Sequence, residues 1–112
     1  LEVGAITSVG NMAVTGTITA SDDITAFSSE VLKDDIRTID NALNKVADMR
    51  GVYFTKNGEA GTGVIAEEVE VVLPEVVKDG EYKSVAYGNI VGVLIEAVKE
   101  LKEEVKSLKE NS

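Results

Sequence analysis

The chain has 112 residues, a net charge of −9, no cysteine, no histidine and a single proline. The length sets a prior of one domain. The missing residue types exclude disulfide frameworks, thiolate or imidazole metal sites and histidine-based triads, so no metal or cofactor is expected. The acidic field, with no basic stripe to offset it, argues against nucleic acid; no apolar run is long enough to span a bilayer, and no signal peptide is legible.

Residues 1–27 contain no Lys or Arg and are rich in Thr, Ser, Ala, Val and Gly. Val14, Gly16, Ile18 and Ala20 alternate with Thr15, Thr17 and Thr19, a period of two that predicts strand. Ser21-Asp22-Asp23 is a turn signal, and Ile24–Phe27 resumes a strand-like run. The segment has too few large apolar residues for a core of its own. It reads as a strip completed by copies from other chains. A chain this short and partly extended is marginal alone, which favours oligomerisation.

From Ser28 the composition turns charged and helix-forming. Asp34-Asp35 is expected to cap a helix carrying Ile36, Ile39, Leu43 and Val46 at spacings of three and four, ended by Arg50-Gly51. Val52–Thr55 reads as a strand, residues 56–63 as a Gly-rich turn or loop, and Val64-Ile65 as the return of a hairpin. Residues 66–73 predict a short helix stopped by Pro74. Val76-Val77 and Tyr82–Val85 flank Lys78-Asp79-Gly80-Glu81 as a second hairpin.

The last element is the clearest. Over residues 89–110, Val91, Val98 and Val105 fall seven apart with Leu94, Leu101 and Leu108 between them, an a/d heptad seam. Flanking positions are apolar first (Ile90, Ile95, Ala97), then charged (Lys102, Glu104, Lys109). Glu104 and Lys109 have the spacing of an interchain ion pair. The seam predicts a helix that starts in a globular core and runs out as a coiled coil. A single amphipathic helix packed on its own domain is the alternative. Val at a with Leu at d leans toward two strands, although a preceding domain can impose another number.

Three segments together resemble one family. They are residues 26–36; Arg50–Phe54 followed by residues 63–77, with Gly-Val-Ile-Ala-Glu-Glu-Val as the most specific part; and Tyr82–Tyr87 leading into residues 94–101. They are similar to the intramolecular chaperone domain of endosialidase-type phage tailspikes and tail fibres. The resemblance implies an α+β fold with a short N-terminal β strip, a small helix and hairpin domain, and a long C-terminal helix forming a trimeric coiled coil. Residues 1–27 would be the end of a β-rich fibre shaft and residues 28–112 the chaperone domain. The implied partners are two further copies of the chain and the fibre segment upstream. The implied setting is a virion tail-fibre precursor folded in the host cytoplasm, its chaperone part lost from the mature virion if cut.

The family cuts itself with a serine and a lysine, in a pattern running Ser-Asp-x-Arg-Leu-Lys. Aligned without gaps, Ser28 takes the serine position and Lys33 the lysine position, so the resemblance implies cleavage between Phe27 and Ser28. Ser29 stands where the family has Asp, and Val31 where it has Arg. An acidic group to orient the lysine is missing from its usual place, and Glu30, Asp34 or Asp35 must substitute if the role is filled. Five residues on a helix separate side chains by about 140°, and an odd offset on a strand sends them to opposite faces. Ser28 and Lys33 can therefore meet only through a sharp bend or across two chains. A non-cleaving trimerisation cap is the alternative function, with Ser28 and Ser29 starting a helix and Lys33 solvated.

Three other constellations carry less. Glu67, Glu68 and Glu70, beside Glu75, could pair as glycosidase carboxylates, but a solvated face or ion pairs explain them more simply. Gly58–Gly63 lacks the Gly-Lys-Ser/Thr ending of a phosphate loop and reads as a hairpin tip. Tyr53, Phe54, Tyr82 and Tyr87 are few and spread out, as core packing requires.

Overall fold

The fold is described from a computed structural model covering residues 4–112. It divides into two compact units, Leu1–Asp35 and Ile36–Ser112.

In the first unit, residues 4–29 form no helix and no hydrogen-bonded strand, and every described side chain is exposed. The strands expected at Val14–Ala20 and Ile24–Phe27 are thus not formed. A strand is defined by its ladder partner, and neither run has one within the single chain. The unit's regular element is a 3-10 turn at Glu30–Leu32.

The second unit is mixed helix and small sheets ending in a long helix. Its elements are α1 (Ala42–Ala47), β1 (Val52–Lys56), β2 (Glu59–Gly63), α2 (Ala66–Val72), β3 (Val77–Lys78), β4 (Ser84–Val85) and α3 (Ile90–Glu110). Two more 3-10 turns, Pro74–Val76 and Tyr87–Asn89, lead into β3 and α3.

The helix expected to follow Asp34-Asp35 begins only at Ala42. Asp35 and Asn41 both adopt φ 52, left-handed conformations that a helix cannot incorporate. The aspartates therefore do not cap it. The Asn41 side chain precedes α1 without bonding any of the helix's backbone N–H groups. The cap comes from 58 residues away: Glu100, on α3, accepts from Ala42 N–H through Oε2 at 2.8 Å and from Leu43 N–H through Oε1 at 3.0 Å. A six-residue helix is too short to persist alone. Here a carboxylate satisfies two of its orphan donors and complements its positive end.

The hairpin β1–β2 also differs from expectation. Asn57-Gly58 forms a two-residue turn with φ 52 and φ 82, the primed geometry that matches strand twist. The Gly-rich run after it is the second strand, paired Val52↔Gly63 through Lys56↔Glu59, and Val64-Ile65 instead leads into α2. Aromatic side chains occupy the space beside two glycines of β2. A Cβ on Gly61 would lie 2.8 Å from Phe54 Cε2, and one on Gly63 would lie 2.5 Å from Tyr87 Oη. Tyr87 Oη accepts from Val64 N–H at 3.2 Å, fixing the strand-to-helix corner.

Helix α2 ends at Leu73-Pro74 as expected. The second hairpin is present in short form, with Val77↔Val85 and Lys78↔Ser84 paired antiparallel. The core gathers Ala42 of α1, Val69 of α2, Leu73, Val76, Val77, and Val93 and Ala97 of α3. Its largest fully buried side chains are two valines, so the core is thin.

Helix α3 presents two apolar faces. Ile90, Val93 and Ala97 pack on the domain, while Val91, Leu94, Val98, Leu101, Val105 and Leu108 remain between 43% and 71% exposed. The helix packs on its own domain along one face and leaves the heptad seam free on another.

Replacing Glu100 with Ala is expected to lower unfolding free energy by about 2 kcal/mol, the scale of a lost helix cap made by charged hydrogen bonds. Glu100→Gln, which keeps an acceptor, should lose less. Denaturant titration at fixed protein concentration checks the order; an unchanged midpoint in Glu100→Ala would remove the cap from this account.

Candidate functional site

Ser28 and Lys33 come together in the single chain: Lys33 Nζ donates to Ser28 Oγ at 2.7 Å. The 3-10 turn supplies the required bend. Ser29 precedes it with φ −64 and ψ 141, and Lys33 leaves it extended at φ −125 and ψ 141. Leu32 N–H donates to Ser29 C=O at 3.0 Å and Lys33 N–H to Glu30 C=O at 3.1 Å. Three residues wound this tightly carry the chain around, so the long Lys33 side chain reaches back to the residue just outside the turn.

Ser29 Oγ accepts from Val31 N–H at 3.4 Å. Of the two adjacent serines, Ser28 thus carries the amine contact and Ser29 caps the turn. Both serines, Lys33 and Phe27 are exposed, Phe27 at 95%. Among the described residues no carboxylate pairs with Lys33, so Glu30, Asp34 and Asp35 do not take up the position of an orienting acid.

Two of the acidic residues of α2, Glu68 and Glu70, are occupied elsewhere. Arg50 clamps Glu68 through Nε to Oε1 at 2.9 Å and through its terminal nitrogen to Oε2 at 3.0 Å. This hydrogen bonding holds the Glu68 carboxyl below the usual range and the Arg50 guanidinium above its own. Lys83 bridges Asp79 at 2.7 Å and Glu70 at 3.1 Å. The Asp79 carboxyl is held down by Lys83, and the Lys83 amine is raised, chiefly by Asp79. These carboxylates tie α2 to the chain before β1 and to the second hairpin, which accounts for them without hydrolytic chemistry.

The sequence missed Glu100 because nothing local marks a cap that acts from 58 residues away. The four aromatics expected in core packing lie outside the buried core, Tyr53 at 91% and Tyr82 at 82% exposed, and Tyr87 instead accepts from Val64 N–H.

The sequence of the domain from Ser28 through β3 matches a family described as the chaperone of endosialidase. That family's model matches residues 28–78 of the chain. Among curated proteins the chain is 36% identical over 90 residues to the long tail fiber protein Gp37 of Enterobacteria phage K3, and equally to that of phage T2. The matched stretch takes in 69% of this chain but spans only 7% of the length of each relative.

The depressed carboxyls set a pH prediction. Glu68 and Asp79 bind protons less readily folded than unfolded, so their contribution is present above the ordinary carboxylate pKa and lost as pH falls below about 4. The pairs are exposed, so the effect is small. Thermal midpoints measured from pH 7 to 3 should fall less steeply in Glu68→Gln than in the parent. Parallel curves would refute the assignment.

Proposed function

We propose that the chain is a trimerising intramolecular chaperone of a phage tail fibre, which registers the upstream fibre during folding and then releases itself by cutting between Phe27 and Ser28. The observation that carries the reading is the 2.7 Å contact between Lys33 Nζ and Ser28 Oγ, located where the family match begins at residue 28. Residues 1–27 are then the last piece of fibre shaft. Their unpaired strand-forming runs are complete only when other copies supply partners. Intertwined β fibres have high contact order and nucleate slowly, and their free edges mispair. A helical clamp raises effective concentration and sets register before those edges must choose.

The chemistry balances within the chain plus one water. Neutral Lys33 takes the proton of Ser28 Oγ as that oxygen adds to the Phe27 carbonyl carbon. The C–N bond to Ser28 breaks, and the Ser28 nitrogen leaves as an amine, taking the proton back from Lys33. Water then hydrolyses the resulting ester, giving a Phe27 carboxyl group and a fragment that begins at Ser28. A lysine amine is ordinarily a poor base at neutral pH. Burial against neighbouring copies favours its neutral form, which makes cutting wait for assembly.

A non-cleaving cap is the second reading. It is favoured by the exposure of Ser28 and Lys33 and by the lack of a carboxylate on Lys33.

A denaturing gel followed over time distinguishes the two. Cutting predicts a product beginning at Ser28, absent in Ser28→Ala and Lys33→Ala, at a rate that rises with pH as the neutral amine grows. Mixtures of the two variants should stay uncut if the pair acts within one chain. An intact parent chain after long incubation favours the cap.

Solution mass is expected to correspond to three chains. Leu101→Asp, placed mid-seam at an exposed position, should shift it toward one while leaving the helical spectrum of the domain in place. A parent chain that is monomeric at micromolar concentration would rule out the clamp.

A further inference from the structure

We infer that Ser29 is a positioning residue for self-cleavage: by capping the 3-10 turn it holds Lys33 on Ser28. The inference rests on the cleavage reading above and goes beyond it by assigning the residue on which the geometry of the pair depends.

Ser28 and Lys33 lie on either side of the turn, at an offset that neither helix nor strand brings together. Their contact therefore depends on three residues, Glu30–Leu32, staying wound. Two backbone bonds hold them, at 3.0 and 3.1 Å. A turn this short has no further rungs, and all of its side chains are exposed, so no packing supports it. The Val31 amide would otherwise be an orphan donor at the start of the turn. Ser29 Oγ accepts from it at 3.4 Å, with Ser29 itself in the extended conformation of a helix-capping residue. Ser29 thus has a task distinct from its neighbour's: its oxygen faces an N–H of the turn, while the Ser28 oxygen faces the amine.

Capping chemistry then orders the variants at this position. Asn, Asp and Ser cap well, Thr somewhat less, and Ala poorly. Ser29→Ala should unwind the turn part of the time and separate the pair. The cutting rate should fall about fivefold, the scale of a lost serine cap. Ser29→Asp and Ser29→Asn should restore it, although neither carries a hydroxyl. That restoration separates positioning from nucleophilic attack by Ser29 itself, which neither variant could support.

The test uses the full chain and two readouts. In a Ser28→Ala background, which keeps the substrate bond intact, solvent exchange at the Val31 amide is measured by NMR with Ser, Ala, Asp or Asn at position 29. With Ser28 present, the first-order cutting rate is measured for the same four. Faster exchange and slower cutting in Ser29→Ala, both reversed by Asp and Asn, support the inference. Unchanged exchange in Ser29→Ala overturns it whatever the cutting does. Faster exchange with an unchanged cutting rate overturns it as well. If the parent chain is never cut, the cleavage reading fails and this role falls with it, while exchange still reports whether Ser29 caps the turn. Two distinct failures are thereby told apart.

Discussion

The second unit is organised around one carboxylate. Glu100 reaches from the middle of α3 to the first two N–H groups of α1. Helix α1 has six residues and no side-chain cap of its own, so its existence depends on tertiary partners. The contact also sets how α3 is turned. Ile90, Val93, Ala97 and Glu100 form one ladder at spacings of three and four, which faces the domain. Val91, Leu94, Val98 and Leu101 form the same ladder displaced by one residue, about 100° around the helix. Once Glu100 engages α1, the second ladder is left facing solvent. The cap inside the domain and the free seam outside it are two consequences of one helix orientation.

Much of this was legible in the residues. Helix α3, helix α2 with its stop at Pro74, the strand Val52–Lys56 and the second hairpin followed from periodicity and turn chemistry, because each is a local signal. The failures have local signals that tertiary contacts overrode. Ile36 and Ile39 sit at helical spacing, yet the left-handed Asp35 and Asn41 exclude them from α1. The run Glu59–Gly63 has the composition of a loop and the structure of a strand, since the rings of Phe54 and Tyr87 fill the room its missing side chains leave. The pairing of Ser28 with Lys33 required a bend that neither helical nor strand spacing describes. A 3-10 turn is that third option, and its one sequence cue was a serine at its entrance.

The thin core gives the seam its weight. With two valines as the largest fully buried side chains, the domain gains little from burial within one chain, at about 25 cal/mol per Å² of apolar surface. The six seam residues offer apolar surface that the rest of their own unit leaves uncovered. The charges flanking the end of the seam suit a parallel arrangement. In a parallel coiled coil, which the proposed function calls for, Glu104 and Lys109 would occupy positions that pair between chains. A parallel clamp is the arrangement that could register three copies of an upstream fibre on the proposed function.

The direction of the hydrogen bond at the candidate dyad links that assembly to timing. As drawn in the single chain, the amine donates and the serine oxygen accepts. On the proposed reading, a serine oxygen that accepts from the amine is in a resting state. The amine must then lose a proton before the same two atoms can exchange roles. Ser28 and Lys33 are both exposed to water. Covering the site removes that water and shifts the balance toward the neutral amine. On the proposed reading, the geometry is built by three residues of local turn and the protonation state is set by neighbouring copies. A chain could then carry its own cutting group preassembled through synthesis and folding, and use it only after the copies have closed around it.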